Sequence, residues 1–261
     1  MKNRFARAIA RKPGKNLAQG LTTVRGETPN YAQIIQQHAA YVETLRFSGL
    51  DVRVLEPLAD HPDAYFVEDT AVVTPEVAVI TNPGAVPRRG EEKSIAVILS
   101  QYLPIRKIQT PGNLDGGDVL IAENNVFIGA SARSNQPGAE QLSCILSEHG
   151  YSCAIVPVIE GLHLKSSVNY IGENALLMTQ AYANFPEFER YDRIIVDDEE
   201  AYACNALYIN EHLIIPKGFP KTKKKLKHLN YEIIELDMSE VRKMDGGLTC
   251  LSIRFHSQRH K

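Results

Sequence analysis

No stretch of the 261 residues approaches the roughly 18 consecutive apolar positions that a membrane span requires. The start, "MKNRFARAIARKPGKN", carries basic residues without an apolar h-region, so a cytoplasmic protein with no membrane partner is expected. Cysteine is scarce. Cys144, Cys153, Cys204 and Cys250 show no CxxC spacing, which argues against a disulfide framework or a structural zinc site. Charge of one sign is also lacking: the formal net charge is -2, unsuited to coating nucleic acid or an anionic membrane. The one basic run, Lys221 to Leu229, places Leu226 and Leu229 at helical spacing among its lysines and reads as the solvated face of a helix.

What the chain does have is a hydrophobic content of 44%, ample for a core, at a length that suits one domain over 1–261. It also has a recurring pattern. A short apolar strand, a turn, a second apolar strand and a polar loop leading toward a helical stretch begin at Glu68, Gly117, Val168 and Cys204. "TCLSIRF", from Thr249, is a fifth start that ends after one strand, and "ARAIARKP", from Ala6, is an apolar strand without a hairpin partner. The two ends are expected to complete one unit. Successive starts lie about 36 to 51 residues apart, a period typical of repeat architectures. Helices are expected over Tyr31–Ser48, Glu91–Tyr102 and Gly138–Gly150. Five ββα-type repeats joined end to end make an α/β five-bladed propeller, closed by its N- and C-terminal strands.

Aligned on this pattern, the second position of each unit is Asp69, Asp118, Asn169, Asn205 or Cys250, and equivalent positions converge on the axis of such a ring. For Asn169 and Asn205 two readings stay open, lining a site or satisfying backbone groups at strand ends. A cysteine at the head of a strand is ordinarily a small hydrophobe. Here acids gather around it: Asp63, Glu68 and Asp69 in "HPDAYFVED", and Asp115 and Asp118 in "LDGGD". Arg88, Arg89 and Arg133 come from the following loops. Carboxylates beside a thiol suit a cationic ligand, and arginines suit a carboxylate on that same ligand, which together describe a cationic amino acid. Thiol chemistry needs an acid/base partner, and His163 in "GLHLKSS", just ahead of the third hairpin, is the candidate.

These residues resemble a known family. "FVEDTAVV", "LDGGDVL", "LHLKS" and "DGGLTCLS", in that order over nearly the whole chain, resemble dimethylarginine dimethylaminohydrolase, a guanidino-modifying enzyme family with the pentein fold. The resemblance implies that Cys250 is the nucleophile and His163 the general acid and base. It also implies that Asp115, where some members carry Glu, orients the histidine. Asp69, with Glu68 and Asp63, would hold the substrate guanidinium; Arg88 and Arg133 its α-carboxylate; backbone groups of Leu17 and Met244 its amino group. Gly20, near Leu17, would let its loop act as a lid. The implied reaction converts methylated arginine to citrulline through a covalent thiouronium, with neither metal nor cofactor. Propellers of this kind can pair through blade edges as a homodimer. Arginine deiminases and amidinotransferases share the fold but typically read His-x-Asp where this chain has His163, Leu164 and Lys165. A non-catalytic binder of cationic amino acids would have no need of Cys250 with His163.

Overall fold

Residues 4–256 are described by a computed structural model; the outermost ends of the expected 1–261 unit lie outside the described residues. Among the described residues, fifteen strands form five three-stranded sheets. The first sheet sets β1 (Arg7–Arg11) between β15 (Ser252–Phe255) and β2 (Asp51–Leu55). The next two combine β3 (Ala71–Val73), β4 (Ala78–Ile80) and β5 (Ile105–Lys107), and then β6 (Val119–Ala122), β7 (Asn125–Ala130) and β8 (Ser152–Pro157). The last two combine β9 (Val168–Tyr170), β10 (Ala175–Met178) and β11 (Asp192–Ile195), and then β12 (Leu207–Ile209), β13 (His212–Pro216) and β14 (Glu232–Leu236).

Every sheet obeys one rule: its central strand pairs antiparallel on one side and parallel on the other. The parallel pairing requires a crossover, which four blades make with a helix. These are α1 (Tyr31–Phe47), α2 (Glu92–Leu99), α3 (Gln136–Ser147) and α4 (Pro220–Leu226); a short α5 (Ser239–Arg242) follows β14. Side-chain caps start two of them: Asn30 accepts from the Gln33 amide at 3.2 Å, and Asn135 from the Gly138 amide at 3.0 Å.

The repeat is therefore ββαβ, where the sequence pattern suggested ββα. The third strands were hard to see because they are short and mostly half-exposed, as in "IRK" and "EIIEL". Among the described residues, the fourth blade has no α-helix at its crossover. Two 3₁₀ turns, Gln180–Tyr182 and Pro186–Phe188, replace it.

The core is cyclic as well. Helices at the crossovers pack on the sheet of the preceding blade: Tyr41 and Leu45 of α1 meet Ile214 and Leu236, while Ile95 and Leu99 of α2 meet Ile9, Ile253 and Phe255. Burying one such aliphatic side chain contributes about 1.5–3 kcal/mol, so the wedges between blades hold the ring together. Within a blade, the tight β-hairpins turn on left-handed residues such as Glu123, Asn174 and Asn210.

Candidate active site

A 3₁₀ turn leads into the first strand of each sheet, or stands just before it: Val67–Thr70, Gly116–Asp118, Leu164–Ser166, Asp198–Cys204 and Thr249–Leu251. The second-position residues link one turn to the next. Asp69 Oδ1 accepts from the Gly117 amide at 2.9 Å and Asp118 Oδ1 from the Leu164 amide at 3.0 Å. Asn169 Nδ2 donates to the Cys204 carbonyl at 2.8 Å, and Asn205 Oδ1 accepts from the Thr249 amide at 3.0 Å. The two asparagines also donate to the Lys165 carbonyl at 2.7 and 3.1 Å. Both thus satisfy backbone groups, and Asn205 additionally lines the site.

The fifth equivalent residue, Cys250, is different in kind. It lines two small cavities, both walled by His163, Asp245, Gly246 and Cys250. The Gly247 amide is placed to donate to its sulfur. A side chain at Gly247 would put a Cβ 2.4 Å from Asn205 Cγ, so only glycine lets this turn reach its neighbour.

His163 shares both cavity walls with it. Its Nε2 meets Asp115 Oδ2 at 3.2 Å, so the shorter acid reaches the ring. The other oxygen of Asp115 accepts from the Gly84 amide at 2.9 Å. Nδ1 packs against Gly117, where a Cβ would come within 2.6 Å. Asp69, Asp115 and His163 bring potential metal-ligand atoms within 4.8 Å of one another. The carboxylate oxygens are already engaged, by Gly117 and Arg88 on Asp69 and by Gly84 and His163 on Asp115, so the cluster is built as an oriented imidazole.

The remaining candidates divide into engaged and open groups. Glu68 Oε1 pairs with Lys165 Nζ at 2.7 Å and Arg254 at 2.8 Å, while Oε2 is buried without a partner among the described residues. Arg88 is buried and its guanidinium is largely committed: to Asp69 at 2.5 Å, to Glu91 at 2.7 Å and to the Phe66 carbonyl at 3.0 Å. Arg133 lines the same cavity, and its guanidinium has no hydrogen bond among the described residues. Asp63 lies on that wall too, accepting from the Leu21 amide at 3.0 Å.

Met244 lines the cavity but Leu17 does not. Leu17 is 1% exposed and its carbonyl accepts from Gly20, so the residue of that loop that reaches the wall is Leu21. The loop is fastened by Thr23, which donates through its hydroxyl to Asp245 at 2.9 Å. Asp245, at φ 58°, was not among the sequence candidates, although an acid before two glycines in "MDGG" is a turn signal that points to it. Lys165 and Arg254 were missed as partners of Glu68, since nothing in their spacing ties them to it.

Electrostatics separate the thiol from the imidazole. Burial pushes the Cys250 thiol up to about 12, reinforced by the negative charges of Glu68 and Asp69 and opposed by Gly247 and Lys165. For His163, burial pulls the pKa down, but Asp69, the hydrogen bond to Asp115 and the charge of Asp118 outweigh it and raise it to about 9. At neutral pH the pair is accordingly a thiol facing an imidazolium. Alkylation of Cys250 by iodoacetamide, followed by peptide mass spectrometry, is expected to quicken about tenfold per pH unit from pH 7 to beyond 8.5, because only the thiolate reacts. A plateau below pH 8 would contradict this picture of the site.

Comparison with known proteins agrees with this architecture. The family model described as "N,N dimethylarginine dimethylhydrolase, eukaryotic" matches residues 22–254. The chain is 40% identical over 253 residues to the N(G),N(G)-dimethylarginine dimethylaminohydrolase of Pseudomonas aeruginosa, covering 96% of this chain and 100% of that one. It is 34% identical to the protein of the same name from Streptomyces coelicolor, over 95% of this chain and 96% of the relative. A crystal structure of the Pseudomonas aeruginosa protein, a cysteine-to-serine variant complexed with citrulline, superposes with a TM-score of 0.94 at 39% identity, over 97% of this chain and all of that one. The five-bladed pentein architecture, the matched family model and these relatives make the chain a member of the dimethylarginine dimethylaminohydrolase family.

Proposed function

We propose that this chain hydrolyses asymmetric dimethylarginine and monomethylarginine to citrulline, releasing dimethylamine or methylamine, with Cys250 as nucleophile. The observation that carries the reading is the shared wall of the two cavities. A ligand with its guanidino carbon at Cys250 has an oriented imidazolium on one side and the Arg133 guanidinium, without a partner among the described residues, within the same cavity as its amino-acid end.

The roles follow from the charges. Glu68 Oε2, buried without a partner among the described residues, is the acceptor left for a guanidinium N–H, and Asp69 adds negative potential beside it. The bound cation favours the thiolate, offsetting the burial that disfavours it, and the thiol proton leaves to solvent as the substrate binds, since His163 already holds its own. The thiolate attacks the guanidino carbon, and His163, already protonated, gives its proton to the departing amine as the C–N bond breaks. A covalent thiouronium remains. Neutral His163 then takes a proton from water, whose oxygen adds to the same carbon; collapse expels the thiolate and leaves citrulline. The route needs these side chains and water, and no metal or cofactor. Asp63, expected with the guanidinium-binding acids, shares its cavity with Arg133 and Met244 and is here given, with the Met244 backbone and in place of Leu17, to the α-amino end; Arg133, with the remaining Nη1 hydrogen of Arg88, takes the α-carboxylate.

Lys165 sets the preference for methylated substrates. Its ammonium lines the cavity beside Cys250, two residues after His163, and cannot accept a hydrogen bond. Plain arginine would bury an unpaired N–H there at a cost of about 1–3 kcal/mol, whereas a methylated nitrogen has fewer donors to satisfy. Citrulline release from arginine, monomethylarginine and asymmetric dimethylarginine is the deciding assay. The methylated substrates should lead arginine in kcat/KM by roughly tenfold to a hundredfold. Equal or better efficiency on arginine would transfer the chain to the deiminase reading.

A further inference from the structure

Asp118 is fully buried, and the proposed mechanism gives it no role. Its contacts are all with segments that carry site residues. Oδ1 accepts from the amide of Leu164, the residue after His163, at 3.0 Å. Oδ2 accepts from the hydroxyls of Ser131 and Ser134, both at 2.6 Å. Ser131 Oγ in turn accepts from the Arg133 amide at 2.9 Å and the Ser134 amide at 3.1 Å. Ser134 Oγ accepts from the Asp115 amide at 3.0 Å. One carboxylate thus fixes the turn behind the histidine directly, the arginine loop through one serine and the acid that orients the histidine through another.

We infer that Asp118 is a positioning residue that sets the relative placement of His163, Asp115 and Arg133, with Ser131 relaying to the carboxylate-binding arginine and Ser134 to the Asp115–His163 pair. The inference rests on the proposed function for what these three residues do, and on the hydrogen bonds alone for how they are held. Short O–H···O⁻ bonds to a carboxylate without solvent competition are the strong class, so each relay has a defined geometry. The two serines diverge in what they support. Ser131 holds the backbone of Arg133, so its loss should weaken binding of the amino-acid end; Ser134 holds the backbone of Asp115, so its loss should slow proton transfer.

Asp118 also acts through space. The titratable and charged groups around His163 are Glu68 and Asp69 from the first turn, Asp115 and Asp118 from the second, Lys165 on its own turn, Tyr202 from the fourth, Cys250 from the last, and Asp63, Arg88, Arg133 and Asp245 on the cavity walls they share with it. The charge of Asp118 acts on His163 and, behind several stronger influences, on Tyr182. Removing one negative charge from that set disfavours the imidazolium, so the His163 titration must move to lower pH.

The test combines steady-state kinetics on asymmetric dimethylarginine with NMR titration of His163 in the substrate-free enzyme, its signal assigned by its absence in His163→Gln. Ser131→Ala should raise KM about tenfold with kcat within about threefold, and Ser134→Ala should lower kcat about tenfold with KM within about threefold. Asp118→Asn should move the His163 midpoint down by about one unit. If kcat and KM change together in both serine variants, or neither changes, the relay is wrong. An unmoved midpoint in a folded Asp118→Asn protein likewise overturns it, and if that variant does not fold, the serine variants decide. Should the wild-type protein release no citrulline, the proposed function fails, and the titration by itself judges the inference.

Discussion

Replacing Cys250 with serine lowers citrulline release by about a thousandfold or more, while Cys144→Ser, Cys153→Ser and Cys204→Ala keep most of the activity; these are the outcomes expected from the environments of the four thiols. A serine hydroxyl loses its proton far less readily than a thiol, and the site already works against negative charge at this position, with Glu68 and Asp69 nearby. His163 is protonated at neutral pH in this environment, so it is poorly suited to take a proton from an alcohol. The other cysteines have no such partners among the described residues: Cys144 is exposed, Cys153 is half-buried on β8, and Cys204 is buried in an apolar cluster. A mechanism-based amidine carrying a leaving group should label Cys250 and block turnover in the same proportion. Labelling confined to another cysteine, or a Cys250→Ser enzyme that retains a tenth of wild-type kcat, would remove the covalent mechanism.

Arg88→Ala and Arg133→Ala should fail in opposite ways, although the sequence presents the two arginines as an equal clamp. Arg88 is enclosed between Asp69 and Glu91, with side-chain exposures of 5%, 5% and 1%. Deleting it leaves two buried carboxylates facing each other without a counter-charge, which costs about 3–5 kcal/mol and lowers Tm by roughly 6 to 20 °C. Arg133 carries no such burden. Its truncation should leave Tm within about 2 °C while raising KM ten- to a hundredfold, since a charged carboxylate partner is removed from the ligand alone. Differential scanning calorimetry beside kinetics separates the two cases. An unchanged Tm in Arg88→Ala, or an unchanged KM in Arg133→Ala, would refute the corresponding assignment.

The contrast between these arginines marks where sequence reading succeeds and where it stops. Periodicity finds the hairpins because each buries both strands, and the repeat relates Asp69, Asp118, Asn169, Asn205 and Cys250; of the five expected on one central cavity, Asp69, Asn205 and Cys250 line the site, while Asp118 and Asn169 bond the backbone of neighbouring turns. It misses the half-exposed third strands, whose pairing is parallel and whose partners lie a whole crossover away. In the site, residue types announce chemistry but not occupancy. Arg88 and Arg133 look alike until Glu91 is seen on one of them, and Glu68 reads as a free acceptor until Lys165 and Arg254 claim one of its oxygens. Leu17 illustrates the same limit at the backbone level, because a one-turn difference in the loop decides whether Leu17 or Leu21 meets the cavity.

The suture between β1 and β15 has a temporal consequence. Ala8 lies opposite Arg254 and Ile9 opposite Ile253, so this seam joins positions separated by nearly the whole chain. Bringing such distant segments together is entropically expensive and belongs to the slow, late part of assembly. Cys250 stands only a few residues from the seam, and Arg254, within it, fastens to Glu68. Until the circle is sewn, the thiol, the imidazole and the acids ride on unconnected stretches, and the cysteine is an ordinary thiol without an acid/base partner. In the proposed reading, the last stitch both quiets the free thiol and completes the site in which a bound cationic substrate can call it into use.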